Sequence, residues 1–555
     1  MRAEPALSPV ARIVLALAIG VVTMLVPSCG DSGAGGQAGS GGQAAGAAGA
    51  GGAVAGRGGA SGAGASGNSG TSGTTGIAGN GGPGTGGAAS GGSGGSGGGP
   101  AAGAAGNSGA SGTSGGNGGR GGSAGNAAGN AGNSGSSGAL AGRGGGAGMA
   151  GAPGGSSGGG SAGRGAVENE SADCTVGALP DAAALPKITK LPDPFVKLDG
   201  TRVSSKTDWR CRRQEIRKQA EKYILGAKPM PDAVTGTVTS TKISVHVEAK
   251  GKAIDFSATV KLPTTGQAPF PALINVGTSM TLGESRILGQ GVAVIYYNNY
   301  DLGKEGVAEQ SRGKPNTGKY YDIYGGTDPA GLLMAWAWGA SRLLDVLQAS
   351  GGGMFDVSGI GVTGCSRWGK SAFTIGVFDD RIALTIPQEP STGGDPALRI
   401  MDKLPGAERT DYNYNGLNWL SDNFAPFVFA NNTSNAVKLP IDTHALIAMI
   451  APRGLLVLEN PHQTQMGAPA GHMATLAGLE VYKALGVAQN VSYHSAVADT
   501  AHCSYKNEYT DLLTASIAAF LKHTSAAPGQ IKAATGSGGM VNRADWIDWT
   551  APALP

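Results

Sequence analysis

The chain has no cluster of basic residues, because its 41 Lys and Arg are nearly balanced by 38 Asp and Glu, for a net charge of +3. A nucleic-acid partner would need a positive stripe or tail, so that class is set aside. Histidine is scarce, with seven residues in 555. His462 and His472 have no further ligand at metal-site spacing, which argues against zinc, and no metal or organic cofactor is expected. Long apolar runs are missing near the start. The run Ile13 to Val26 falls short of the roughly 20 residues that span a bilayer. Glycine is abundant, yet stretches such as Gly97 to Gly99 break the strict every-third spacing of collagen.

Most of the 101 glycines lie before residue 166. From Gly30 to Gly165 the chain is Gly, Ala, Ser and Asn with occasional arginine. Such small side chains cannot offset ordering entropy, so a disordered linker is expected. Silk-like self-association is the rival reading. A coil of about 135 residues would reach on the order of 60–70 Å root-mean-square. Ahead of it, Arg2 and Arg12 flank the apolar run as in an export signal. Leu25-Val26-Pro27-Ser28-Cys29 has the form of a bacterial lipobox, in which Cys29 would carry a lipid. Simple secretion, with Cys29 in or beside the cleaved peptide, is the alternative.

The expected organisation is a signal segment over 1–29, a linker over 30–167 and a folded domain over 168–555. Such a protein would be secreted or held at the bacterial outer membrane through its N-terminal lipid only, as a monomer. Roughly 390 residues suffice for one large core. With Cys29 set apart, four cysteines remain, namely Cys174, Cys211, Cys365 and Cys503. An even set in an exported chain implies two disulfides, with three possible connectivities.

Beyond the linker, hydrophobic patterning sets the fold. Val238 to Val247 and Ile254 to Val260 alternate like half-exposed antiparallel strands. Ala272 to Val276 and Val292 to Tyr296 are continuous apolar runs, as buried parallel strands show. Asp328 to Ala349 keeps helical spacing, with Asp328 as N-cap and Pro329 at the first helical position. Ile360 to Gly364 reads as a strand turning into a helix near Gly369. Later strands are expected at Ala383 to Ile386, Gly454 to Leu458 and Val491 to Tyr493. This alternation predicts an α/β three-layer sandwich of hydrolase type, its sheet mostly parallel with helices on both faces.

The most informative segment is Gly364-Cys365-Ser366-Arg367-Trp368-Gly369-Lys370. A serine at the apex of a strand-to-helix turn is exposed above the sheet edge, with the following amides aimed where an oxyanion would form. Gly364 makes room for the turn, and Gly369 lets the helix pack close to the strand. A buried structural serine is the plainer alternative for the generic motif.

The full heptad resembles the Gly-Cys-Ser-Arg-x-Gly-Lys signature of the glucuronoyl esterases, carbohydrate esterase family 15. Further segments resemble the family in the same order: Ala335 to Gly339, Pro387-Gln388-Glu389, Ile450 to Gly454, Ala501-His502-Cys503 and Trp546 to Thr550. The resemblance implies an α/β-hydrolase that cleaves esters between (4-O-methyl-)glucuronic acid of glucuronoxylan and lignin alcohols. It implies Ser366 as nucleophile, His502 as base and Arg367 at the oxyanion. It also implies a Cys365–Cys503 bridge beside nucleophile and base, which leaves Cys174 with Cys211.

The acid that orients the base has two candidates. Glu389 matches the family's Gln-Glu acid, and Glu459 ends the run Leu455 to Leu458, where the common hydrolase order places it. Asp442 and Asp499 read as solvated loop carboxylates. On the substrate side, Lys370 lies one helical turn beyond Ser366, with a solvated lysine as the alternative. Glu408 and Asn415 stand in for the family's Gln and Glu contacts. Asn460 to Gly467, where the family carries a sugar-contacting Trp, has none. Two other functions stay open: an acetyl or feruloyl esterase on the same triad, and an inactive carbohydrate-binding surface lipoprotein.

Overall fold

The computed structural model describes residues 166–305, 315–536 and 538–555. The signal segment, Cys29 and the linker up to residue 165 lie outside the described residues.

Among the described residues, ten strands form one sheet: β1 (Ala233–Val238), β2 (Lys242–Ala249), β3 (Lys252–Lys261), β4 (Phe270–Val276), β5 (Ala293–Tyr297), β6 (Phe355–Cys365), β7 (Leu384–Gln388), β8 (Gly454–Leu458), β9 (Val491–His494) and β10 (Ile531–Lys532). Their order is β1-β2-β3-β5-β4-β6-β7-β8-β9-β10. The pairs from β1 through β3 to β5 are antiparallel. Those from β5 onward are parallel.

The sequence reads one strand over Val238 to Val247, but the structure divides it. β1 ends at Val238 and β2 begins at Lys242. Thr239 causes the break. Its amide donates to the Lys242 carbonyl at 2.9 Å, and its Oγ1 accepts from the Lys242 amide at 3.0 Å, which closes a hairpin turn.

Among the described residues, ten α-helices accompany the sheet: α1 (Lys206–Ala220), α2 (Glu284–Leu288), α3 (Lys319–Tyr324), α4 (Leu332–Ala349), α5 (Arg367–Phe378), α6 (Leu398–Met401), α7 (Thr410–Asn415), α8 (Thr443–Ile450), α9 (Ala468–Ala484) and α10 (Thr510–Ser516). The start of α4 corrects the expected N-cap. Gly331, not Asp328, precedes the helix. Asp328 instead accepts from the Ala330 amide at 3.0 Å, a local turn. The first amides of α4, at Leu332 and Leu333, donate to the carbonyls of Asn418 at 2.9 Å and Trp419 at 3.2 Å. A distant segment thus satisfies the orphan donors that a side-chain cap would otherwise take. It also seats Trp419 at this end of the domain.

Alternation along the strands separates two cores. Ile274 of β4 and Val457 of β8 join Trp336 of α4, Ile375 of α5, Ile447 of α8 and Val481 of α9. Their neighbours Leu273, Leu456 and Leu458 pack on the opposite face with Ile287 of α2 and Leu512 and Leu513 of α10. A sheet covered on both faces is the expected three-layer α/β-hydrolase architecture.

The register of the strand ends places the candidate site residues. Cys365 lies beside Gln388, Gln388 beside Leu458, and Leu458 beside His494. Four parallel strands therefore finish level. Ser366, Glu389 and Glu459 are each the first residue past a level end, at the edge where open α/β sheets bind ligands.

Candidate active site

Ser366 joins β6 to α5 with φ 58° and ψ −126°, a backbone state that a residue with a side chain adopts only where its surroundings impose it. The surroundings are tight. A Cβ on Gly364 would sit 2.5 Å from the Trp368 carbonyl oxygen, and one on Gly369 2.7 Å from that of Gln388. The Ser366 amide donates to the Gln388 carbonyl at 2.9 Å, and its carbonyl accepts from the Lys370 amide at 2.9 Å. The serine is thereby pinned between β7 and the new helix. First-turn amides of α5 have no partner within the helix and carry the positive end of its dipole, which suits them to a developing oxyanion.

A disulfide joins Cys365 to Cys503, with Cα atoms 5.7 Å apart across 138 residues of sequence. Cys174 pairs with Cys211. Of the three possible connectivities, the structure has the one that the family resemblance implies. The first bridge brings the loop after β9 onto the Ser366 turn. A ring nitrogen of His502 lies within 4.8 Å of both bridged sulfurs. These three residues do not make a metal site, because disulfide sulfurs are not thiolate ligands.

His502 Nδ1 lies 2.7 Å from Glu389 Oε2, which also accepts the Cys503 amide at 3.2 Å. Glu389 is fully buried, while the His502 side chain is 31% exposed. A buried carboxylate on Nδ1 selects the tautomer that leaves Nε2 free to take a proton. Glu389 and Cys503, like Ser366, have left-handed backbones, with φ of 44° and 60°. Three such residues in one place mark where the fold holds strain.

Glu459 is brought close but differently equipped. Both its oxygens are buried without a hydrogen-bond partner, as are those of Asp395. Both carboxyls crowd α9, where a Cβ on Gly471 would meet Asp395 Oδ2 at 2.9 Å and Glu459 Oε1 at 3.0 Å. Burial, then repulsion from Asp395 and Glu389, pushes Glu459 well above the usual carboxylate range. Burial pushes Asp395 up to about 7. Of the two acid candidates, Glu389 alone bonds His502.

Asp442 departs from expectation. It is fully buried, pairs with the buried Arg399 at 3.1 Å and accepts from the Leu398 and Thr443 amides at 2.8 and 2.7 Å. A position just before a helix allowed a solvated loop or a buried cap, and the buried Arg399 selects the second. Asp499 is half-exposed and holds Ser504 and Lys506.

Arg367 follows Ser366, with its guanidinium 2.7 Å from Glu305, a carboxylate only 1% exposed. Lys370 is buried, donates to the Pro390 carbonyl, lies 3.5 Å from Glu408 and stands 4.8 Å above the Trp419 ring. The structure therefore joins Lys370 to Glu408. Asn415 stands apart at the exposed end of α7, lining with Glu408 a cleft of about 600 Å³. Sequence reasoning missed Glu305, Tyr300 and Trp419. Tyr300 lies 3.4 Å from Glu305, and its ring packs 6.4 Å from that of Trp368. Trp419 lies beneath Lys370 and, at 5.9 Å, Arg367. Trp419 was the one with a usable signal, an aromatic between the two candidate sugar contacts and Leu420. Glu305 had none.

Fold and geometry define an α/β-hydrolase of the carboxylic ester hydrolase class. Residues 245–486 match the family model described as glucuronyl esterase, fungi. The chain is 36% identical over 391 residues to the 4-O-methyl-glucuronoyl methylesterase of Hypocrea jecorina, covering 68% of this chain and 79% of that one. It is 39% identical over 374 residues to the enzyme of the same name from Thermothelomyces thermophilus, covering 66% and 88%. Among solved structures, the Hypocrea jecorina glucuronoyl esterase catalytic domain superposes with TM-score 0.61 at 34% identity, over 68% of this chain and all of that one. A serine-to-alanine mutant of the Sporotrichum thermophile enzyme, in complex with methyl 4-O-methyl-β-D-glucopyranuronate, gives 0.61 at 35%, over 69% and all of that chain. The chain belongs to the glucuronoyl esterase family.

Proposed function

We propose that this protein hydrolyses esters of (4-O-methyl-)glucuronic acid carried on glucuronoxylan, the alcohol coming from lignin, with Ser366, His502 and Glu389 as the reacting triad. His502 Nε2 takes the Ser366 proton as Oγ attacks the ester carbonyl. First-turn amides of α5 and the Arg367 guanidinium hold the tetrahedral oxyanion. His502 returns the proton to the departing alcohol. Water, deprotonated by His502, then releases glucuronate and regenerates Ser366. Lys370 and Glu408 face the uronate, with Asn415 further out.

The observation that carries this reading is the bond from His502 to the buried Glu389 beside the bridge that holds His502 at the serine turn. The test compares a benzyl glucuronate ester with acetyl and feruloyl esters. Turnover of the first is expected, with Ser366→Ala lowering kcat by about 10⁴-fold or more. Activity retained in Ser366→Ala would remove the nucleophile. Preference for acetyl or feruloyl groups would move the substrate class, and no turnover of any ester would leave a binding protein.

We also propose export, with the folded domain beginning near Glu168 and a lipid on Cys29. Complete pairing of the other four cysteines supports the oxidising compartment. Glu168 is tied to Lys228 at 2.8 Å and to Arg342, which supports the boundary. Mass spectrometry of the mature N-terminus reads out the lipid. An unmodified terminus beyond residue 29 would replace anchoring by simple secretion.

A further inference from the structure

The cleft beside the active site holds a residue that the reaction does not use. Tyr412, on α7, is 53% exposed and is the one aromatic among the exposed large hydrophobic side chains of the described residues. An isolated exposed apolar residue needs no explanation, but this one has a particular setting. It lines the roughly 600 Å³ cleft together with Glu408, Arg409, Asp411 and Asn415. Its phenol is raised by burial and by the charge of Glu408, lowered by Arg367 and raised by Glu305, so it stands within electrostatic reach of the groups around Ser366. Arg409 is held beside it, its guanidinium 4.2 Å over the Phe429 ring and 3.5 Å from Asp411.

These contacts form a path. Tyr412 stands at the rim, Glu408 is next to Lys370, Lys370 and Arg367 both lie against the Trp419 ring, and Arg367 adjoins Ser366. An apolar aromatic face bordered by carboxylate, amide and guanidinium groups suits a ring that is itself amphipathic. A pyranose presents C–H groups on its faces and hydroxyls around its edge, matching both the ring and the polar groups beside it, whereas an aryl alcohol matches the ring alone.

We propose that Tyr412 is the platform of a glycan subsite that takes the xylose chain bearing the uronate, and that the cleft of residues 406–416 sets preference for polymer-borne over free glucuronate esters. The inference rests on the glucuronate esterase reading and extends it from the acyl group to the chain.

The experiment compares benzyl glucuronate with the benzyl ester of a glucuronoxylo-oligosaccharide, using wild type, Tyr412→Ala and Tyr412→Phe. Tyr412→Ala is expected to lower the ratio of kcat/KM, oligosaccharide over monosaccharide, by about fivefold to tenfold, mainly through KM. Tyr412→Phe keeps the ring and the ratio. Equal losses on both esters would assign Tyr412 to the uronate pocket and overturn the proposal, as would no loss on either. A change only in preference between benzyl and methyl alcohols would give the cleft to the leaving group and also overturn it. Calorimetric titration of Ser366→Ala protein with the unesterified oligosaccharide separates the two layers. Binding weakened at least fivefold by Tyr412→Ala supports the platform even if wild type turns over no glucuronate ester, an outcome that would sink only the esterase reading. Binding unaffected by Tyr412→Ala overturns the platform.

Discussion

Glu389 and Glu459 occupy equivalent places at the level ends of adjacent strands, both fully buried, yet their surroundings are opposite. Glu389 receives an imidazole and a backbone amide. Glu459 receives no side-chain donor, only a minor influence of the Asn460 amide, and shares its corner with a second carboxyl. Burial alone favours the neutral acid, and donors aimed at the oxygens favour the anion. One strand end therefore surrounds its carboxyl with donors, and the next holds a carboxyl that burial and neighbouring acids push toward the neutral form. Residue type and position in the fold do not decide the role of a carboxyl; the supply of hydrogen-bond donors does.

The comparison breaks most sharply when each carboxyl is replaced by an amide of the same shape. Glu389→Gln is expected to lower kcat by about 10³–10⁴-fold, since the amide can no longer select the reactive tautomer. Glu459→Gln copies the protonated acid and should cost less than about tenfold. Steady-state kinetics on the benzyl ester decide, and the reverse ranking would transfer the orienting role to Glu459.

The crosslinks give the next largest effect. In the chain-entropy model, the 138-residue separation of Cys365 and Cys503 contributes about 5 kcal/mol and the 37-residue separation of Cys174 and Cys211 about 4 kcal/mol. Paired Cys→Ala variants should both melt earlier in calorimetry. The first pair should also lose activity out of proportion to its loss of stability, and equal activity in the two pairs would deny the bridge a part in holding His502.

The smallest expected effect is a pH dependence of stability. Asp395 is held at about 7 against an ordinary 3.8, so between those values the folded protein binds more protons than the unfolded chain. Its stabilising contribution is complete below about pH 4 and is lost as pH rises through about 7, on the order of 1 kcal/mol per pH unit. Asp395→Asn should flatten that slope in denaturant titrations run from pH 5 to 8. An unchanged slope would mean that the carboxyl is ionised throughout.

Much of this arrangement was legible in the amino-acid sequence. Continuous apolar runs located β4, β5 and β8 because parallel strands covered on both faces have no polar side to interrupt them. The serine heptad and the four cysteines marked the reactive turn because tight turns and crosslinks constrain residue type locally. Long-range satisfaction could not be read in the same way. The late start of α4 depends on carbonyls at residues 418 and 419. The burial of Asp442 depends on Arg399, and the environment of Arg367 on Glu305, 62 residues away. Partners so far apart in sequence leave no periodicity to detect. The choice between two glutamates likewise depended on donors that lie more than 100 residues downstream of Glu389.

The bridge between Cys365 and Cys503 closes a ring of polypeptide whose two ends carry Ser366 and His502, the proposed nucleophile and base. A protease that cut any surface loop inside that ring would leave two fragments still tied together at the reacting atoms. Such a cut would nick the protein without dismantling it.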